Sequence, residues 1–427
     1  MTRALRIVVL AVVMLVLAAC SRGGLDAQGR KTVKFWAMGY EGEVVAQLIP
    51  EFERENPDIR IDLQQIPWTS AHEKLLTSFA GETLPDVCSL GNTWIPEFAA
   101  IGALTPLNTL IGSTPSVAPD DFYAGAWDSG VIDGKVYAVP WYTEVRAVYY
   151  NNALMRKAGV NSQPSTWSEL QKSLVALKDA GVPTPILLPL NEFEPLLNFS
   201  VQANNDLLRD SGQYGNFRGA GFRKSLAFYR SMFTQGFAPV LTNNQIANVW
   251  DEFGKGRINY YISGPWNIAE FRKRLTAEQF AQLRTMPLPG PDGKGQSIAG
   301  GTSFVIFRNA RHPDAAWKWI EFLSRPSTQA RFHALTGDLP PRRSAWNDPA
   351  FKADPLTNAF QDQLERARSA PKVPEWERIA TELKYVGEAV AHGTMSEEQA
   401  VTEMDARADR ILAKRRWMMS QQQEVTP

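Results

Sequence analysis

Residues 33–68 read VKFWAMGYEGEVVAQLIPEFERENPDIRIDLQQIPW, and this stretch decides the fold class. Val33 to Met38 is an apolar run of strand length. Val45, Leu48, Ile49 and Phe52 then recur at i, i+3, i+4 and i+7, the stripe of an amphipathic helix, and Asn56-Pro57 stops it. Ile59, Ile61 and Leu63 alternate with Arg60, Asp62 and Gln64, the period of a strand. Further on, Ser70 to Glu73 has capping-box spacing ahead of Leu75, Leu76 and Phe79. Asp86 to Leu90 reads as a buried strand, and Ile95, Phe98 and Ala99 open another helix. Strands and helices alternating at these lengths predict an α/β lobe with a mainly parallel sheet.

The character changes in the middle of the chain. From Thr166 to Arg284 helical patterns dominate, punctuated by Pro183, Pro185, Pro189 and Pro195, which reads as a second lobe. Strand signals return at Ser303 to Phe307, and an amphipathic helix follows at Ala315 to Leu323. Beyond Pro349 the pattern is helical again, with Ile379, Leu383 and Val386 on one face and Met404, Ile411 and Leu412 on another. At roughly 150 residues per domain, 427 residues fit two or three domains.

The amino terminus carries its own signal. Arg3 and Arg6 precede an uncharged apolar run from Ile7 to Leu17, too short for a mature bilayer span but suited to a secretory leader. Leu17-Ala18-Ala19-Cys20 ends it, small residues and then a cysteine. The expectation is a signal peptide over residues 1–19, lipid on Cys20, and a small, polar tether over residues 20–30. Cleavage removes two arginines and no acid, leaving 43 basic against 45 acidic residues, a net charge of −2. With Cys20 modified, Cys88 stands alone, so no internal disulfide can form, and its apolar setting reads as an inert core thiol.

Composition excludes several function classes. Forty-five Lys and Arg balance forty-five Asp and Glu, so no electrostatic footprint for nucleic acid is present. There is no H-E-x-x-H, G-x-S-x-G, Walker loop, C-x-x-C or G-x-G-x-x-G. The four histidines His72, His312, His333 and His392 are scattered without ligand spacing, so neither a metal nor a cofactor is expected. Paired carboxylates for glycoside cleavage are a three-dimensional property and stay open.

Tryptophan is overrepresented, with thirteen against eleven tyrosines. Many sit in Gly- and Pro-flanked segments between predicted elements: Tyr40 and Glu41 after the first strand, Trp68 after the second, Asn92 and Trp94 after the third. Later come Tyr142 and Glu144, then Trp266 after Gly264-Pro265, then Gly300, Gly301 and Thr302. In open α/β sheets the loops beyond the carboxyl ends of the strands line the ligand crevice. Aromatic faces beside carboxylates and amides suit a sugar, whose C–H faces are apolar while its hydroxyls demand donors and acceptors. Trp68 and Trp94 read equally as packing for helix starts, and Glu41 and Asn92 as helix caps.

With these residues in place, the chain resembles an extracellular solute-binding protein of a bacterial ATP-binding-cassette sugar importer, the maltose/trehalose-type branch. The likeness is carried, in order, by the lipobox, Phe35-Trp36-Ala37, Phe52 to Pro57, Leu84-Pro85-Asp86-Val87 and Gly102 to Leu107. Ala138-Val139-Pro140-Trp141, Tyr149-Tyr150-Asn151, Gly264-Pro265-Trp266 and Leu339-Pro340-Pro341-Arg342 continue it. It implies two α/β lobes with a hinge and an interlobe cleft: residues 31–142 with 297–347, and 143–296 with 348–417, leaving 418–427 as a flexible tail. It carries ligand positions onto Glu41, Asn92, Tyr142, Glu144, Trp266, Gly301 and Arg342. Asn92 replaces an acid of some relatives, and Thr302 an aromatic.

The expected function is capture of an α-linked disaccharide by a monomeric, lipid-anchored protein of the periplasm or cell surface, and its delivery to transmembrane permease subunits. Trp266 would stack on the sugar from one lobe while Glu41 and Asn92 bond hydroxyls from the other, with Glu144 and Arg342 fixing orientation. The alternatives are a lipid-anchored glycoside hydrolase using two of Glu41, Glu144 and Asp86, and a purely structural envelope lipoprotein.

Overall fold

The computed structural model describes residues 25–203, 206–246 and 248–425. The leader and Cys20 lie outside the described residues. Two mixed sheets organise the fold. The first contains β1 (Lys31–Met38), β2 (Ile59–Ile66), β3 (Val87–Gly91), β4 (Val139–Glu144) and a late strand, Gly300–Ile306. The second contains β5 (Ala147–Asn151), β6 (Thr184–Leu187), β7 (Ile258–Ser263) and β8 (Leu283–Met286); the late strand is therefore β9.

The first sheet has the order β2-β1-β3-β9-β4. β1 pairs in parallel with β2 and β3, and only β9 runs against its neighbours, because it enters from the other lobe. The sheet is buried on both faces. Val33, Phe35 and Ala37 point into one apolar cluster with Phe304 and Trp319, while Trp36 and Met38 point into another with Cys88 and Val305. Phe35 meets Trp319 and Trp141 edge-on with ring centroids 5.8 and 6.2 Å apart, each such pair contributing about 0.5–1.5 kcal/mol beyond area burial. Cys88 lies in this core, where burial pushes its thiol well above the ordinary range.

The second sheet has the order β8-β5-β7-β6, and β5 alone runs against its neighbours. Val148, Tyr150, Tyr260 and Ile262 face the helical side, which includes the helices Ala220–Thr234, Trp376–Ala391 and Glu397–Ile411. The chain passes between the sheets at Val145-Arg146, through residues 287–299, and again beyond the short helix Arg343–Asn347. β4 continues to Glu144, two residues past the point where the sequence puts the first crossing.

Three local expectations are corrected. The helix after β2 begins at Trp68, not behind Ser70: extended Pro67 is its N-cap, and Ser70 donates its hydroxyl back to the Pro67 carbonyl. The expected tether is folded from Asp26, whose carboxylate accepts from the Gln28 and Arg30 amides and pairs with the Arg30 guanidinium at 2.7 Å. The expected flexible tail is mostly helix, Ala413–Val425, because the run has no Gly or Pro before Pro427. Arg416, just before the tail, anchors the start of this helix by donating to the Gln213 and Asp409 carbonyls at 2.8 Å.

Candidate functional site

The carboxyl ends of β1, β2, β3 and β4 and the start of β9 open onto one cleft of about 510 Å³, closed on its far side by groups from the second lobe. Gly39, left-handed at φ 64°, turns the chain out of β1 into a helix. That turn brings Glu41 into the cleft lining and leaves Tyr40 outside it, 57 % exposed. Trp68 opens the helix after β2 and meets Trp94, from the 3-10 turn after β3, edge-to-face at 5.6 Å. His72 backs Trp94 at 5.1 Å and is held by Glu97 at 2.7 Å.

Asn92 lines the cleft, but its amide is engaged within the sheet: Nδ2 donates to the Gly300 carbonyl at 3.1 Å, and Oδ1 accepts from Ser303 at 2.7 Å. Tyr142 is almost fully buried. The β4–β9 register shifts beside it, between Thr302 and Ser303, opposite a segment where Pro140 has no amide to donate. Gly301 sits at φ 102°, and a Cβ there would lie 2.4 Å from the Tyr142 carbonyl oxygen. Gly301→Ala is therefore expected to cost about 1–3 kcal/mol of stability through strain and strand separation, read by denaturant unfolding against the unsubstituted protein.

The second lobe contributes Trp266, Arg146, Glu194, Asn198, Trp376 and Glu377. Trp266 is 39 % exposed and folds over Gly264, where any Cβ would collide with the indole. Arg146, in the first crossing, places its guanidinium over the Trp266 ring at 4.8 Å, between Glu194 at 2.9 Å and Glu144 at 3.6 Å. Its amide donates to Ser297 in the second crossing, so one residue ties both crossings to the aromatic wall. Burial alone would lower the Arg146 pKa, but Glu144 and Glu194 raise it above the ordinary value. Thr93 donates to Glu377 across the cleft mouth.

The electrostatics are lopsided. Glu41, Glu144, Glu194, Asp338 and Glu377 line the cleft, and Arg146 is its one cation among the described residues. Burial raises the Glu41 carboxyl, and the charge of Glu144 raises it further. Among the described residues no group of three or more His, Cys, Asp or Glu is placed to hold a metal ion.

Ten of the twelve residues singled out in the sequence line this cleft: Glu41, Trp68, Asn92, Trp94, Tyr142, Glu144, Trp266, Gly300, Gly301 and Thr302. Tyr40 and Arg342 do not. Arg342 is buried behind the lobe, where Nε donates to Asp121 at 2.6 Å and one terminal nitrogen to the Ser116 and Ser324 carbonyls. Its backbone bridges Phe122, which turns the side chain away from the cleft. Asp86 of the hydrolase alternative is also elsewhere, accepting the Lys34 and Arg311 amides at 2.8 and 2.6 Å.

The sequence reading missed Trp376, Glu377, Glu194 and Asp338. Pro374-Glu375-Trp376-Glu377 has the same proline, aromatic and acid grammar as the segments that were found. It went unnoticed because it opens a long helix.

A family model described as bacterial extracellular solute-binding protein matches residues 39–330. The chain belongs to this family. Among solved structures, this solute-binding protein is similar to the sugar-binding protein MalE from the phytopathogen Xanthomonas citri. The two are 52% identical with a TM-score of 0.90, covering 91% of this chain and 99% of that one. Among curated proteins it is similar to the diacetylchitobiose binding protein DasA of Streptomyces coelicolor, 23% identical over 86% of this chain and 88% of that one. A third relative is the maltodextrin-binding protein MdxE of Bacillus subtilis, 23% identical over 86% and 87%. The two-lobe architecture is that of periplasmic sugar-binding proteins.

Proposed function

We propose that this solute-binding protein captures a sugar, an α-linked disaccharide such as maltose or trehalose, for an ATP-binding-cassette importer. One observation carries the reading: Trp68 and Trp94 from one lobe and Trp266 and Trp376 from the other line the same cleft as Glu41 and Glu144. Flat apolar faces suit the C–H faces of pyranose rings, and carboxylates accept from their hydroxyls. At about 510 Å³ the cleft falls within the roughly 300–1,000 Å³ usual for small-molecule sites. The likeness to a MalE protein supports the same class of ligand.

The lobes are taken as residues 31–142 with 297–347 and residues 143–296 with 348–417. Ligand touching both favours the closed arrangement, and the crossings act as the hinge. No chemistry is done on the sugar. The closed form presents a joint surface of both lobes to the transmembrane permease subunits. The protein works as a monomer, held at the membrane by lipid on Cys20.

The test is a panel of a dozen sugars followed by thermal unfolding and tryptophan fluorescence. A ligand at a hundred times its Kd stabilises by about 2.7 kcal/mol, so maltose or trehalose is expected to raise the unfolding midpoint and saturate the fluorescence change. New reducing ends appearing from an oligosaccharide would favour the hydrolase instead. Neither response would leave a structural lipoprotein.

A further inference from the structure

Asp338 has no counterpart in the sequence reading, and one of its carboxyl oxygens has no partner among the described residues. It follows Gly337, the left-handed residue that ends the helix Pro326–Thr336. Its backbone is fixed on both sides: its amide donates to the Thr336 hydroxyl at 3.1 Å, its carbonyl bonds His333 Nδ1 at 2.9 Å, and the next carbonyl, of Leu339, accepts from the Thr143 amide in β4 at 2.9 Å. The side chain lines the cleft. Oδ2 is fully removed from solvent and has no hydrogen-bond partner among the described residues, so contact with a ligand in the cleft falls to the other carboxyl oxygen.

Two charged groups facing Asp338 oppose a negative charge there, Glu41 from the helix after β1 and Glu144 from β4. Tyr142 of β4 faces it as a neutral phenol, and burial disfavours a charge on His333, which bonds the Asp338 carbonyl. From its own helix only the Thr336 hydroxyl favours the carboxylate. The one cation lining the cleft, Arg146, is paired with Glu144 and Glu194. A bare carboxylate on Asp338 would be desolvated, unpaired and repelled at once.

We infer that Asp338 contacts the ligand as a neutral carboxylic acid, donating its proton in a hydrogen bond to a sugar oxygen on a wall where Glu41 and Glu144 only accept. The inference rests on the sugar-binding reading and deepens it. A sugar hydroxyl is both donor and acceptor, so a wall of carboxylates alone leaves its oxygen lone pairs unmatched. A protonated acid adds a donor beside those two acceptors. Burial, and then the charge of Glu41, push the Asp338 carboxyl up to about 8, so this form prevails at neutral pH. Because the bound sugar favours the protonated form, its affinity is highest below that value and falls as pH rises through it.

The test uses the full mature chain and the sugar from the panel that binds, measured by titration calorimetry at pH 6 and pH 8.5 in two buffers of different ionisation heat. The expected result is almost no proton exchange at pH 6 and a clear net proton uptake on sugar binding at pH 8.5, where a substantial share of the free protein is ionised at Asp338. Affinity is expected to weaken several-fold between the two conditions. Asp338→Asn, which keeps a permanent donor, is expected to hold the pH 6 affinity within a few-fold and to flatten the pH dependence. Absence of proton uptake by the unsubstituted protein at pH 8.5 overturns the inference even if the variant fails to fold. A pH dependence unchanged in Asp338→Asn also overturns it and points to Glu41. A panel in which no sugar binds at either pH overturns the sugar reading, and this one with it.

Discussion

Replacing Trp266 with alanine is expected to weaken sugar binding by on the order of 30-fold or more, about 2 kcal/mol, and to leave the unliganded fold intact. The two effects separate because the indole's support does not depend on the indole. Its turn is held by the Tyr149 hydroxyl donating to the Gly264 carbonyl at 2.7 Å. On the other side Asn267 donates to Ser263 and accepts from Trp250, both at 2.8 Å. Truncation removes no hydrogen bond from this brace. It removes a broad apolar face and the surface over which Arg146 lies. Calorimetric affinity measured beside a thermal unfolding curve checks both halves. An unchanged Kd in a folded variant would mean that Trp266 borders the cleft without gripping the ligand.

The second large effect is on stability. Arg342→Met is expected to destabilise the protein by about 2 kcal/mol or more, because it takes a buried donor from a partly exposed Asp121 carboxylate and from two backbone carbonyls. The guanidinium side chain is 8 % exposed, and the Asp121 carboxylate also accepts from the Ser344 amide and hydroxyl. Two backbone carbonyls, of Ser116 and Ser324, lose their donor as well. Sugar affinity of the folded variant should stay within a few-fold, since none of these groups lines the cleft. A tenfold or larger loss of affinity would count against the placement of Arg342 behind the lobe.

This effect has a pH signature of definite sign. Burial pushes the Asp121 carboxyl up, but hydrogen bonds from Ser344 and Arg342 outweigh it and hold the group below the ordinary carboxylate range. A depressed native value contributes stability above the unfolded value of about 4, and that contribution is lost as pH falls through the native one. The gap between the unsubstituted protein and Arg342→Met should therefore narrow in acid, as followed by denaturant unfolding at a series of pH values.

Tryptophan shows how far the reading of loops reached. Trp68 and Trp266 are displayed, as their Pro- and Gly-flanked settings suggested. Trp141, in a similar setting, is 2 % exposed and packs on Phe304 and Phe332. Trp376 is more deeply buried still and yet lines the cleft. A flanking proline marks where an element begins, but the direction of the ring depends on what the opposite layer leaves open.

Periodicity along residues 33–68 determined by itself that a parallel α/β lobe would form, because strand and helix periods are properties of consecutive residues and are satisfied locally. The order of elements followed from the same source, and with it a group of aromatic and acidic loops at one edge of the sheet, although the helix after β2 begins at Trp68 and not behind Ser70. The resemblance already put residues 297–347 in the first lobe, but only the tertiary structure decided that β9 lies between β3 and β4 and runs against both. Only it could turn Arg342 to the back and bring Asp338 to the front, four residues apart on one segment. Such choices are settled by which distant surfaces exclude water together, and that free energy belongs to pairs of segments hundreds of residues apart.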